Sequence, residues 1–301
     1  MEQRQNKLKG AFLVALGASS YGMLATFVKM AYHDIGISGL PFTSAEVITS
    51  QFALGLIGVS SINAISRRKK PTPKPASKDI RQLMLAGTSM GLTSVFYYLA
   101  VKFIPVSIGI VLLMQTVWMA VLLEAILDKK RPSVIKIVSV ILVLAGTVLA
   151  AKLSSDLDKL DWRGLLLGLC AAASFTATMF SANRIALDLD AGRRSFYMLC
   201  GGAVIVLLFA LATQRTPYNF DIFYKWGILL SVFGTILPPY LLNAGFPKTG
   251  IGLGSIVSAL ELPVSVGMAW LFLQESVSPV QWIGISIILF AIVLMNYKSI
   301  D

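Results

Sequence analysis

Residues 249–295 read TGIGLGSIVSALELPVSVGMAWLFLQESVSPVQWIGISIILFAIVLM, and residues 104–150 read IPVSIGIVLLMQTVWMAVLLEAILDKKRPSVIKIVSVILVLAGTVLA. Each stretch is two apolar runs joined by a short break, and the runs approach the ~20 helical residues that cross a ~30 Å hydrocarbon core at ~1.5 Å per residue. A membrane barrel strand would alternate and be about half as long. Continuous apolarity therefore predicts helices, which close their own backbone hydrogen bonds where water is absent. The two stretches also resemble each other. At a spacing of about 146, Gln115 falls opposite Glu261, Val117 opposite Pro263, and Pro132 within one place of Pro279. GAFLVALGASSYGM, from Gly10, matches GLLLGLCAAASFTA, from Gly164, in the same way at the front of each half.

Along the whole chain ten such runs appear: Gly10–Met30, Thr43–Ile65, Leu83–Val101, Pro105–Leu127, Ser133–Ala151, Gly164–Leu187, Ser195–Thr213, Phe223–Gly245, Gly250–Leu273 and Pro279–Met295. Five spans per half is an odd number, so the halves enter the membrane from opposite sides. The expected fold class is an all-α integral membrane protein with ten transmembrane helices as two inverted five-helix repeats, residues 1–152 and 153–301, forming one membrane domain. The first run is too long for the core of a cleavable signal peptide and reads as a span. The basic, Pro-rich stretch from Arg67 to Arg81 reads as an extended loop.

Composition agrees. Of 301 residues 56% are apolar and 14% charged, with a mean hydropathy of +0.75, whereas soluble domains carry about 25% charged residues. The net charge of +11 does not point to nucleic acid, because the basic residues sit in breaks between apolar runs and form no polar face with readers between them. With the N-terminus inside, 19 of 26 Lys and Arg fall on the inner side, including Arg67–Lys70, Lys129–Arg131, Arg193, Arg194 and Lys248. Lys29, Lys102, Lys152, Lys159, Arg163, Arg215 and Lys225 fall outside. The positive-inside rule then places both termini in the cytoplasm, and Trp162, Trp226, Trp270 and Trp282 fall at the outer interface, where an indole is comfortable. Cys170 and Cys200 lie inside apolar runs as small hydrophobes, and the single His33 leaves a multi-His metal site without ligands. No cofactor or metal is expected.

The segments YYLAVKFIPVSIGIVLLMQ and GLGSIVSALELPVSVGMAWLFLQESVSPVQWIG resemble the two EamA-type repeats of the drug/metabolite transporter superfamily, and the resemblance covers nearly the whole chain. It implies ten helices in two inverted halves and carriage of small metabolites such as amino acids, commonly outward across a bacterial inner membrane. Many such repeats have an Arg in the second helix, where this chain has Gln51.

An ionisable side chain at mid-bilayer costs ~2.5–3.5 kcal/mol on insertion scales and marks a functional position by default. Of 15 carboxylates only Glu46, Glu124 and Glu261 fall inside the spans. Glu261, near the midplane on a face shared with Ser255 and Ser258, is expected to line a central cavity, where it holds a substrate amine or carries a coupling proton. Gln115 is its expected counterpart from the first half. Tyr97 and Tyr98 could close over an organic substrate, Trp118 could form a wall one turn from Gln115, and Asn243, Tyr21 and Ser174 are further candidates for the same cavity. Glu46 and Lys29, at comparable depth, are expected to form an ion pair, acting either as an outer gate or as a plain structural pair. Glu124 reads as an interfacial charge beside Lys129 and Lys130. Pro238, Pro239 and Pro263 interrupt spans of the second half only, so that half is expected to bend more. Gly87 with Gly91, Gly164 with Gly168 and Gly250 with Gly254 form small-residue faces for close helix approach.

These readings converge on a secondary transporter, not an enzyme, that moves a small zwitterionic, neutral or cationic solute outward by alternating access, with the lipid bilayer and a small-molecule substrate as its partners. A nucleotide-sugar antiporter of similar architecture is the alternative, although no basic cluster reaches midplane depth to neutralise a diphosphate. A membrane enzyme acting on lipid-linked substrates would need a cluster of acids, His or Ser at one interface, and ATP drive would need a GxxxxGK[ST] loop. The chain has neither.

Overall fold

Polar caps start the helices. Ser133, Asp161 and Asp190 each accept a hydrogen bond from a backbone N–H in the first turn of the helix that follows. A computed structural model describes residues 2–69, 75–100, 102–104, 106–151, 161–274 and 276–298. The expected span end Pro105 and the outer-loop residues Lys152, Asp156, Asp158 and Lys159 lie outside these. The described residues form α1 (Glu2–His33), α2 (Ser44–Lys69), α3 (Ser77–Ala100), α4 (Val106–Leu113), α5 (Thr116–Asp128), α6 (Val134–Ala150), α7 (Trp162–Arg184), α8 (Ala191–Thr213), α9 (Ile228–Ser231), α10 (Leu237–Thr249), α11 (Ile251–Ser258), α12 (Glu261–Phe272) and α13 (Pro279–Lys298). The fold is helical, with one isolated bridge between Ile35 and Pro41 among the described residues.

Among the described residues eight helical segments are long and apolar enough to cross a membrane: Gln3–His33, Ser44–Ser66, Ser77–Ala100, Ile108–Asp128, Trp162–Arg184, Ala191–Thr213, Phe223–Thr249 and Ile251–Phe272. The fifth and tenth expected spans are shorter apolar helices, Val134–Ala150 and Pro279–Met295. These two helices, α6 and α13, pack on one another through Gly146 and Gly284, whose missing side chains bring the backbones together.

The tightest crossing joins α3 to α8. A Cβ on Gly87 would overlap the carbonyl of Met198, and one on Gly91 would sit 2.5 Å from the carbonyl oxygen of Gly202. The expected Gly87–Gly91 face is therefore a backbone-to-backbone contact. Gly164 and Gly168 instead meet the side chains of Ile104 and Leu112, and Gly254 meets the ring of Phe246. Gly250 adopts φ +80°, the left-handed region that turns α10 directly into α11.

Two long helical segments are interrupted in the same way. At Met114–Gln115, between α4 and α5, the N–H of Gln115 donates to Leu112 O and that of Val117 to Met114 O. These i→i−3 bonds tighten one turn. Between α11 and α12 the same two bonds recur 145 residues later, from Leu260 N to Val257 O and from Leu262 N to Ala259 O. In α12, Pro263 lies in the first turn, where its missing N–H costs nothing. The first half makes the same interruption without such a proline. The backbone also shifts the correspondence by one place, matching Gln115 to Leu260 and Thr116 to Glu261. Because one residue is ~100° around a helix, Gln115 does not mirror Glu261. The third irregular segment carries π-helical turns at Phe223–Gly227 and Val232–Ile236, with Pro238 and Pro239 just inside α10.

Gly87→Ala should disrupt the α3–α8 crossing, since the backbone of Met198 cannot move aside as a side chain can. A loss of ~1–3 kcal/mol or more is expected, read as a lower thermal unfolding midpoint in detergent. Gly267→Ala, whose Cβ would meet nothing within 4 Å, should leave that midpoint unchanged.

Candidate functional site

Glu261 is the first residue of α12, immediately beyond the break. The positive end of the helix dipole there favours a carboxylate. Gly22 of α1 lets the chain come close, for a Cβ on it would sit 2.5 Å from the carbonyl oxygen of Glu261. Glu261 is a partly accessible residue, and no hydrogen bond or ion pair of its carboxyl is seen among the described residues. Tyr21 of α1 and Tyr97 of α3 lie within its electrostatic reach. The start of α12 thus carries an acceptor with no partner of its own.

The other expected site residues divide. Tyr97 and Tyr98 both pack at the core formed by α2, α3 and α8, Tyr98 buried against Tyr32 (ring centroids 6.1 Å apart) and Tyr97 partly buried beside it. Gln115 does not join Glu261. Its Nε2 donates to Val111 O at 3.0 Å and its Oε1 accepts from Trp118 Nε1 at 2.9 Å, so the amide bridges the α4–α5 break and holds the half-exposed indole. Ser258 and Ser255 are buried, with hydroxyls donated to Gly254 O and Gly252 O. The break at Ala259–Leu260 takes Glu261 off the helical face that would have joined them. Gln51 is buried against Gly234 in the second π-helical turn.

One end of the molecule is shut. Every residue of α11 is buried, and α5 packs along it. Met114, Val117, Leu253 and Ile256 share one core with Val14 of α1 and Phe246 of α10. In contrast, Leu262 alone is buried in α12, and no comparable packing joins α12 to α4. Glu124 forms an ion pair with Lys136, rather than with the expected Lys129 or Lys130, against Gly250 and Gly252 at the N-terminus of α11. Asp128 pairs with Arg184.

The same end holds a residue that charge counting misplaced. Arg194 reads in the sequence as a loop cation, yet it is 2% exposed and donates to four backbone carbonyls: Ile185 (3.0 Å), Asn243 (2.8 Å), Ser181 (3.2 Å) and Ala182 (2.5 Å). A guanidinium at the end of α7 satisfies carbonyls that the helix leaves over. It also ties α7, α8 and α10 together, helped by Asn183 Nδ2 donating to Phe246 O at 2.6 Å. The Asp190 cap, four residues before Arg194, is the sequence signal that could have placed the arginine inside the helix.

At the opposite end Glu46 is fully buried and its donors are neutral: Thr43 N (2.8 Å), Asn219 N (2.8 Å) and Gln214 Nε2 (3.0 Å). Thr43 Oγ1 in turn accepts from Glu46 N. This is a capping box at the start of α2, legible as TSAE and missed in the sequence. Glu46 is thus a structural cap that fixes α2 to the 214–219 segment. Nearby, Asp34 accepts from Trp226 Nε1 (2.8 Å) and faces Lys225 (3.7 Å). The indole bond, with Lys225 and the Ile35 N–H, holds its carboxyl below the usual range against the opposing effect of burial.

Interrupted helices around an unpartnered carboxylate define a multi-pass membrane protein of the transporter type. The chain matches the EamA-like transporter family over residues 8–152 and again over residues 162–297, and belongs to that family. It is similar to an uncharacterized transporter of Synechocystis sp., sll1319 (25% identity, covering 79% of this chain and 72% of that one). It is also similar to the threonine/homoserine exporter RhtA of Escherichia coli K12 (21% identity, 69% and 68%). A crystal structure of another protein superposes with a TM-score of 0.76 at 13% identity, over 98% of this chain and 99% of that one, which speaks to the fold alone.

Replacing Arg194 by Leu should destabilise the fold by at least ~3 kcal/mol, because charged hydrogen bonds contribute ~1.5–3 kcal/mol each and four carbonyls lose their donor. Thr43→Ala should cost only ~1 kcal/mol, the ordinary value of an N-cap. Thermal unfolding of both variants in one detergent tests the ranking.

Proposed function

We propose that this chain is a secondary transporter that exports a small zwitterionic or cationic solute, of the amino-acid class, by alternating access between two inverted five-helix halves. The membrane is the bacterial inner membrane, and both termini are cytoplasmic. Support for the duplication comes from the family match, which occurs twice, and from the turn bonds that recur 145 residues apart. The ten spans comprise the eight long segments and the two shorter apolar helices α6 and α13.

The observation that carries the reading is the Glu261 carboxylate, unpartnered at an interrupted helix and approached by Tyr21 and Tyr97. Such a group receives an ammonium from the substrate, or a proton when the substrate leaves. The deeply buried Arg194 is spent on carbonyls and cannot neutralise a diphosphate, which favours an amine-bearing cargo over a nucleotide sugar. An amino-acid cargo fits the printed function of the E. coli relative. With the termini inside, the α5–α11 end is the cytoplasmic one, and the arrangement is sealed inward.

Purified protein in proteoliposomes should exchange a labelled L-amino acid from a panel that includes L-threonine, faster when unlabelled substrate is present on the far side. Glu261→Gln should weaken that exchange by about tenfold or more and flatten its pH dependence, as expected when a charged hydrogen bond is lost. Full flux with an unchanged pH profile in the variant would remove Glu261 from the mechanism.

A further inference from the structure

On the sealed side of Tyr21 lies an internal cavity of about 10 Å³. Tyr21 and Phe175 stand edge to face across its boundary, with ring centroids 6.1 Å apart, and Met90, Met179 and Met198 form much of the remaining wall. One polar side chain in this wall is incompletely satisfied. Asn243 is 3% exposed, and its Oδ1 is buried with no hydrogen-bond partner. A buried amide oxygen without a donor is unfavourable by about 1–3 kcal/mol, which makes it a feature to be explained.

The Ser195 hydroxyl donates to Ala191 O at 2.7 Å. Its oxygen accepts from Asn243 Nδ2 at 3.0 Å, which leaves Oδ1 as the unused acceptor of the amide. The backbone carbonyl of the same residue is held by Arg194 at 2.8 Å. Asn243 is thus clamped from two sides, with an acceptor left free.

We propose that this cavity is the closed form of a second, cytoplasmic-side subsite, in which Asn243 Oδ1 accepts a hydrogen bond from the primary ammonium group of a small solute before that group passes to Glu261. The proposal rests on the transport reading above and deepens it. Tyr21 is common to both places, lining the cavity and lying within electrostatic reach of Glu261. The three methionines, flexible and polarisable, suit an apolar substrate side chain of variable shape. A neutral acceptor is appropriate at an entry step, because it receives an ammonium without the affinity that would hold it there. The cavity is small because the cytoplasmic end is packed shut by α5, α11 and the Arg194 clamp; separation of these elements widens it.

The test measures half-saturation separately from each face of oriented proteoliposomes, using the labelled L-amino acid panel with L-threonine included. Asn243→Leu should raise half-saturation from the face carrying the N-terminus by about tenfold, with the other face changed less than about twofold, the loss of one hydrogen bond to a charged group. Asn243→Asp, which keeps the shape and adds charge, should hold or lower half-saturation on that same face and shows that the position tolerates exchange. Glu261→Gln should raise half-saturation from both faces. If Asn243→Leu shifts both faces equally, or neither, while Glu261→Gln still impairs exchange, the second subsite is overturned and the Glu261 reading stands. If the wild-type protein exchanges none of the panel, both fall together.

Discussion

A helix interrupted at the depth of a bilayer's centre leaves backbone groups that lipid cannot satisfy, and the rest of this fold is arranged around that constraint. Both breaks keep most of their hydrogen bonding by tightening one turn to i→i−3. What remains is handled differently in each half. At the first break a side chain intervenes, Gln115 taking Val111 O and holding the Trp118 indole. At the second, Pro263 removes a donor that would have been orphaned, and Glu261 stands at the first position of α12 with no side-chain cap bond. One break is bridged by its own amide; the other has an acceptor to spare.

The sealed end shows the same logic at a helix terminus. An arginine buried without an anion would ordinarily be prohibitive, but Arg194 meets four carbonyls, and the negative end of α7 supplies a field that suits it. The clamp contains no competing carboxylate, so it is insensitive to carboxylate titration and draws α7, α8 and α10 into one unit. Glu124 and Lys136 do related work on α11, where the carboxylate lies against the N-terminal glycines. Charges at this end neutralise helix termini first and one another second.

Much of the architecture was legible in the chain itself. Continuous apolar runs located the helices to within a few residues, and Gly87 and Gly91 announced a close crossing, because a missing side chain has the same meaning in any context. Glu261 stood out because a carboxylate in an apolar run is costly wherever it faces. Pairings were harder. Glu46 was read by its depth alone, and the capping box that engages its carboxylate, legible as TSAE, was passed over. Arg194 was counted as a topogenic charge because charge counting cannot tell a solvated loop from a buried helix end. The internal correspondence erred by one residue, since side-chain similarity tolerates a slip that backbone hydrogen bonds do not. One place on a helix turned Gln115 away from Glu261.

The placement of free acceptors against fixed ones supplies a direction. Side-chain acceptors at the periphery, such as those of Glu46 and Asp34, are engaged by neighbouring N–H donors, and those joints hold whichever way the halves lean. Among the side-chain acceptors left without a partner in the described residues are the Glu261 carboxyl and Asn243 Oδ1, and Tyr21 lines the cavity at Asn243 and lies within electrostatic reach of Glu261. Glu261 sits on α12, which has a single buried residue, and Asn243 sits on α10, clamped by Arg194. A donor-bearing solute therefore finds one acceptor on a loosely packed element and one on a rigid element, with an aromatic ring between them. On the proposed transport reading, movement of α12 relative to α10 would change which acceptor is reachable, which is the physical requirement for carrying a solute rather than merely holding it.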